Sequence, residues 1–170
     1  MPKGLKETSS IIVIGAALNE TAANTFSEAS VDLQLNPLDN EVFVVTAIDM
    51  DISTPDAIAA TNTKTTAALT TTSQTSMPGL ASSNVLARKS LSIRAAGFVD
   101  GGVAFAQTAG ETPPTTLEYI GIIATNDFFL QVEGQNNGGA KSMSVKVYGY
   151  RARAESSVYA ALVQSEVLSS

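Results

Sequence analysis

The sequence predicts an all-β domain, an antiparallel β-sandwich of the jelly-roll type with about eight strands. Segments in which apolar residues alternate with polar ones recur along most of the chain, and turn signals rich in Asn, Asp, Gly and Pro separate them. The length of 170 residues, 44% of them apolar, suffices for one domain with a buried core. We divide the chain into a flexible N-terminal arm (residues 1–10), the sandwich (11–154) and a short C-terminal helix or arm (155–170).

The first clear strands lie between residues 30 and 52. Residues 30–35 (SVDLQL) alternate between apolar and polar positions, and residues 36–40 (NPLDN) form a turn. Residues 41–52 (EVFVVTAIDMDI) begin with four consecutive apolar positions, which indicate a strand covered on both faces. From Ile48 onward a carboxylate occupies every second position, so one face of this strand becomes acidic.

A threonine-rich segment follows at residues 61–75, with eight threonines in fifteen positions. Threonine is β-branched and favours extended backbone, but it buries little apolar surface. We therefore expect an exposed strand or a long surface excursion around the domain.

The later strands are separated by Gly-rich turns. Asp100, Gly101 and Gly102 predict a hairpin between apolar segments, and residues 136–139 (NNGG) predict a second tight turn in a hairpin context. The expected strands are residues 117–124 (LEYIGIIA), 128–132 (FFLQV) and 141–153 (KSMSVKVYGYRAR).

The period changes in the tail, where apolar residues recur three to four positions apart: Val158, Tyr159, Leu162, Val163 and Val167. This spacing predicts a helix packed on its own domain, or an arm laid on a neighbouring subunit. The longest apolar run, residues 11–18 (IIVIGAAL), is too short to cross a bilayer, so we expect no transmembrane segment.

The composition argues against an enzyme. The chain has no Cys and no His, which removes thiolate nucleophiles, ordinary zinc sites and the usual serine triad. The glycine-rich turns are not followed by predicted helices and so lack the context of a phosphate-binding loop. We expect no catalytic residues and no cofactor.

Asp49 and Asp51 are the one pair of side chains that could carry out chemistry, since strand geometry places them about 7 Å apart on one face. They could act as an acid/base pair, contribute to a calcium site, or form part of a subunit contact. Sugar-cleaving enzymes usually carry aromatic platforms, and this chain has no Trp. A calcium site needs six or more oxygens from a curved loop, so the contact surface is favoured.

Charge is unevenly distributed along a chain of net charge −6. Nine acidic residues and no Lys or Arg lie between Lys6 and Lys64, whereas most basic residues come later. Such a chain can meet copies of itself head to tail. Ten Lys and Arg are too few for a dense basic stripe, so we expect no direct sequence-specific binding of nucleic acid. The candidate subunit contacts are Asp32, Asp49 and Asp51 on an acidic face, Arg88, Lys89, Arg94, Lys146, Arg151 and Arg153 on a basic face, and Val158, Leu162 and Val163 in the tail.

Two segments together resemble a known family. DLQLNPLDNEVFVVTAIDMDIS (residues 32–53) and YIGIIATNDFFLQVEGQNNGGAKSMSVKVYGYRAR (residues 119–153) look like the small single jelly-roll capsid proteins of tailless icosahedral viruses of prokaryotes. The similarity lies in the succession of strands and turns, and it transfers no functional residue.

The resemblance implies a major capsid protein located in the virion, whose partners are copies of itself and other virion proteins. A head-decoration or appendage protein of a tailed phage is the alternative, and it would bind as trimers to a preformed shell. A carbohydrate-binding β-sandwich module is a further alternative, disfavoured by the shortage of aromatic platforms.

Overall fold

The computed structural model describes residues 2–97, 105–110 and 117–169. They form two antiparallel sheets packed face to face as a sandwich, so the predicted all-β class and the sandwich are confirmed. Ten strands are present in these residues, where the sequence predicts about eight. The first sheet contains β1 (Leu5–Glu7), β2 (Ile12–Asn19), β4 (Glu41–Ile52), β8 (Gly121–Ile123) and β10 (Ser142–Ala154). The second contains β3 (Ser27–Asp32), β5 (Thr63–Thr70), β6 (Val85–Arg94), β7 (Phe105–Gly110) and β9 (Asp127–Gln135).

The strand pairing is nested. In the first sheet β10 lies between β4 and β2, with β1 beside the far end of β10, and β8 pairs with the other edge of β4. In the second sheet the order is β3, β9, β5, β6, β7. Four antiparallel pairs therefore follow one another from the outside of the sequence to its middle: β2 with β10, β3 with β9, β4 with β8, and β5 with β6. Successive pairs alternate between the two sheets.

The strand pairing shows whether each predicted turn joins paired strands of one sheet. Residues 136–139 join β9 of the second sheet to β10 of the first, so the predicted hairpin there is wrong and the segment is a connection between sheets. β6 and β7 do pair as antiparallel neighbours, but the predicted turn at Asp100, Gly101 and Gly102 lies outside the described residues.

The observed strand bounds differ most from the predicted ones where the neighbouring strand pairs over only a few residues. β4 spans the predicted residues 41–52, because β10 pairs with it along that whole length. β8 is only three residues long, against the eight of the predicted strand 117–124. It pairs only with Phe43, Val44 and Val45 of β4.

The main core lies between the sheets. Phe43 and Val147 of the first sheet meet Leu69, Phe128 and Leu130 of the second, and all five are almost completely buried. Burial of large apolar side chains contributes about 1.5 to 3 kcal/mol each, so this layer is the chief stabilising element of the sandwich.

The threonine-rich strand β5 is central and buried, which corrects the expectation of an exposed strand. It lies between β6 and β9, and Thr65 and Thr70 are inaccessible to solvent. The Thr63 hydroxyl donates to the carbonyl of Asp56 at 2.6 Å, and the Thr70 hydroxyl donates to the carbonyl of Thr72 at 2.7 Å. Because nearby carbonyls accept from these two hydroxyls, their burial costs little, whereas the buried Thr65 hydroxyl has no hydrogen-bond partner among the described residues.

A β-bulge divides β4 into two halves. Ala47 pairs with Tyr148 and Val45 with Gly149, so Thr46 is an extra residue without a partner position on β10. Its hydroxyl donates to the carbonyl of Tyr148 at 3.0 Å. An extra residue reverses the alternation of side chains, and the outer face therefore carries even-numbered residues before the bulge and odd-numbered residues after it.

The C-terminal segment forms a helix, α1 (Ser156–Leu168), on the outer face of the first sheet. Four of its side chains pack against a second cluster that contains Val42, Val44 and Ala152: Val158, Tyr159, Leu162 and Val163. Glu166 anchors its end, because its carboxylate accepts from the backbone N–H of Ala124 at 2.7 Å. The helix therefore packs on its own domain, which is the first of the two predicted placements.

The predicted N-terminal arm is also partly incorporated into the fold. β1 pairs antiparallel with residues 152–154 of β10, and Leu5 is buried in the second cluster. A free arm would leave this leucine in water, whereas pairing removes its side chain and the strand edge from solvent.

Candidate functional site

The candidate site is the half of the first sheet's outer face that α1 leaves open. Beyond the bulge, Asp49 lies opposite Lys146 of β10, and Lys146 lies opposite Gly15 of β2. One row further, Asp51 lies opposite Ser144. These side chains are exposed and surround a shallow depression of about 550 Å³. We call this surface the open face.

Asp49 and Asp51 lie on the half of β4 beyond the bulge, and both are exposed. The residue beside them on β10 is the cation Lys146, not a further carboxylate. In the described part of the chain there is no group of three or more acidic residues arranged to hold a metal ion. The geometry suits an interaction with complementary charges on another protein surface.

The strand β2 at the margin of the open face is an edge with few protections. It pairs with β10 on one side, and within the described ranges no strand pairs with the other side. The segment IVIGAALN contains no charged residue and no proline. Ile11, just before it, and Val13 within it are 56% and 52% exposed. Edge strands of isolated domains usually carry charges, prolines or bulges that prevent pairing with other chains.

The sequence carries a signal for this edge. Residues 11–18 form a continuous apolar run that is too short to cross a membrane. Their apolar character on both strand faces, at a sheet edge, has a different consequence: alternate residues face the core and the remaining ones face outward.

The structure does not gather the predicted charged residues into one acidic and one basic face. Asp32 lies on β3 in the other sheet, where its carboxylate accepts from the Asn126 side-chain amide at 2.8 Å. Lys146 lies beside the two aspartates of the open face. Of the predicted set, the open face brings together only Asp49, Asp51 and Lys146.

The other basic residues are dispersed, and four make contacts within the subunit. The Arg151 guanidinium donates to the Leu33 carbonyl and to the Glu41 carboxylate, at 2.7 and 3.1 Å, and closes one end of the sandwich. Arg153 forms an exposed ion pair with Asp39 at 3.3 Å. Two further cations donate to backbone carbonyls, Arg88 to Pro78 and Lys89 to Met50, and Arg94 lies on the outer face of the second sheet.

Val158, Leu162 and Val163, predicted as tail contacts, pack on the subunit's own first sheet. They are partly buried there. They therefore contribute to the fold, and their role in a subunit contact stays a prediction.

Two carboxylates, those of Glu20 and Asp56, form hydrogen bonds at the end of the sandwich opposite Arg151. Glu20 is buried, and its oxygens accept from the backbone N–H groups of Thr25, Gly134 and Lys141, at 3.1, 2.5 and 2.7 Å. These bonds tie the end of β2 to the connection between β9 and β10 across the two sheets. Nothing in the sequence pattern distinguishes Glu20 from a solvated turn residue.

Asp56 is the second carboxylate at this end. It accepts from the Lys141 ammonium at 2.7 Å and from the N–H groups of Gly138 and Gly139. The hydrogen bond from Lys141, followed by that from Gly138, lowers the pKa of Asp56 below its usual range. Near α1, burial raises the pKa of Tyr150, and the Glu7 carboxylate adds to this effect.

Comparison with the models of known protein families and with curated proteins finds no match to this sequence. Among the described residues no helix is both long enough and apolar enough to cross a membrane.

Proposed function

We propose that this protein is a structural virion protein, a major capsid protein whose copies assemble into an icosahedral shell. The nested pairing supports a jelly roll, because a jelly roll is a long antiparallel hairpin rolled so that successive strand pairs alternate between two sheets. On this interpretation β1 and β7 are additions at the margins of an eight-stranded roll.

The observation that carries the proposal is the unprotected edge β2 beside the open face. A monomeric domain with eight uncharged residues on an open edge, and with the exposed side chains of Ile11 just before it and Val13 within it, would tend to pair with other chains. In a shell, the same pairing would join neighbouring subunits. The charges of Asp49, Asp51 and Lys146 next to the edge would select register and partner.

The proposed partners are copies of this chain and other virion proteins. Direct sequence-specific contact with nucleic acid is not part of the proposal, because the net charge is −6 and the basic side chains are dispersed. Each exposed ion pair contributes only about 0 to 1 kcal/mol, so apolar contact would supply most of the adhesion.

The experiment that tests the proposal places one charge on the edge. In Val13→Lys a cation replaces an outward side chain, so the subunit should stay folded while particle formation is lost. Leu80→Lys is the matched control, because Leu80 is similarly exposed, at 49%, but lies in a loop outside β2. Light scattering and sedimentation would compare the two variants with the parent protein. Normal particle formation by Val13→Lys would exclude β2 as an assembly edge.

A further inference from the structure

The second sheet has a polar cleft on its outer face that the proposed assembly surface does not use. The cleft encloses about 300 Å³ and lies beside Asn136, at the end of the sandwich that Glu20 and Asp56 fix. Its lining includes two cations, two hydroxyls and two side-chain amides: Lys64, Arg94, Ser90, Ser92, Gln107 and Gln135.

The register of β5 and β6 brings the two cations onto the same face. Lys64 lies opposite Ser92, and Arg94 is two residues beyond Ser92 on the same strand. Diagonal neighbours of this kind have side chains about 7 to 8 Å apart, within the span of one small ligand. The fold therefore holds two like charges close together at the mouth of one cleft.

Among the described residues, neither cation forms an ion pair and no acidic residue lines the cleft. In the part of the chain that the structure describes, Glu133 is the nearest carboxylate by register: it lies opposite Thr66, is a diagonal neighbour of Lys64, and is not part of the lining. In a chain of net charge −6, two cations that line one cleft without an acidic residue among its described lining form a local positive site.

The remaining lining groups supply neutral hydrogen bonds. The side-chain amides of Gln107 and Gln135 and the hydroxyl of Ser90 can each donate or accept, so they suit hydroxyl groups as well as anionic oxygens. We infer that this cleft binds a compact oxyanion, a carboxylate or a phosphate, carried on a hydroxyl-rich group such as an acidic sugar. The inference does not depend on the proposed capsid function.

The test is calorimetric titration of the full chain with glucuronate, with inorganic phosphate and with glucose at one ionic strength. An open cleft with two cations is expected to bind the anions with a dissociation constant of about 1 mM, and glucose at least tenfold more weakly. Stronger binding of glucuronate would assign an acidic sugar as the source of the oxyanion, and stronger binding of phosphate would assign a phosphate group.

The variants separate a site from general charge attraction. The double substitution Lys64→Gln and Arg94→Gln should weaken anion binding at least tenfold. Lys6→Gln is the matched control, because it removes an exposed strand cation from the other sheet, outside the open face, and should leave binding unchanged. Absence of saturable binding by the parent protein, or equal weakening by the double variant and the control, would overturn the inference. Thermal unfolding of each variant verifies that the fold is retained.

Discussion

The ring of Phe43 packs directly against the backbone of Gly149, one strand away. A Cβ atom at position 149 would lie 2.7 Å from Cε1 and 2.8 Å from Cζ of that ring, and it would also collide with the Val44 carbonyl oxygen. This contact lies next to the bulge at Thr46, where β4 exchanges its inner and outer side chains. The helix-covered half and the open half of the first sheet meet at this place.

We therefore expect Gly149→Ala to destabilise the subunit by about 1 to 3 kcal/mol or more, since an overpacked core forces backbone movement. Gly139→Ala is the control, because a Cβ there has no atom within 4 Å. Urea unfolding of the two variants would measure the difference. Equal stability of Gly149→Ala and the parent protein would show that Phe43 does not hold this backbone.

Glu20→Ala should destabilise the subunit by about 3 kcal/mol or more, because it leaves three N–H donors without their acceptor, and a buried unsatisfied group costs about 1 to 3 kcal/mol. Glu155→Ala removes an exposed carboxylate that makes no side-chain cap at α1 and should change stability by less than about 0.5 kcal/mol. Denaturant midpoints of the two variants should therefore differ widely. Similar midpoints would mean that water replaces the Glu20 carboxylate.

Asp56 should give the subunit a specific acid sensitivity. Its pKa is lowered in the folded state, so the unfolded chain binds more protons between the folded and unfolded pKa values, and stability rises with pH in that window. The contribution is complete above the ordinary aspartate pKa of about 3.9 and is lost as the pH falls through the lowered folded value. Asp56→Asn should accordingly be less stable than the parent at pH 6, with a difference that shrinks below pH of about 4. Thermal unfolding across this pH range measures it, and a constant difference would contradict the assignment.

Removal of residues 155–170 should damage the subunit itself. The deletion exposes the outer face of Val42, Val44 and Ala152 and removes four side chains that pack on it. The loss of apolar burial amounts to several kcal/mol, which is comparable with the total stability of a small domain. The truncated chain should be insoluble or partly unfolded by circular dichroism. A soluble product with unchanged stability would restore the hypothesis that the segment serves a neighbouring subunit.

The sequence predicts the elements whose local residue pattern agrees with their place in the fold. β4 matches its predicted bounds because its apolar run and its acidic alternation both lie on one continuous strand, and α1 follows from the spacing of Val158, Leu162 and Val163. The buried position of β5 could not be predicted from its threonines, because the burial follows from its place between β6 and β9, which the whole fold sets.

The charges of the open face, too, could be predicted from the sequence only in part. The alternation of Asp49 and Asp51 predicts an acidic strand face, but the register with β10 decides that Lys146 lies beside them. The separation of charge along the chain did not become a separation of faces, because the nested pairing brings early strands next to late ones. Long-range pairing is set by the whole fold and carries no local signal.

Cryo-electron microscopy of the purified full chain, at rising protein concentration, tests the central claim most directly. The proposed capsid function predicts closed shells or curved sheets of subunits for the parent protein, and dispersed subunits for Val13→Lys under the same conditions. Monomers or isolated trimers of the parent protein at every concentration would contradict it, and trimers would favour a decoration protein that binds to a preformed shell.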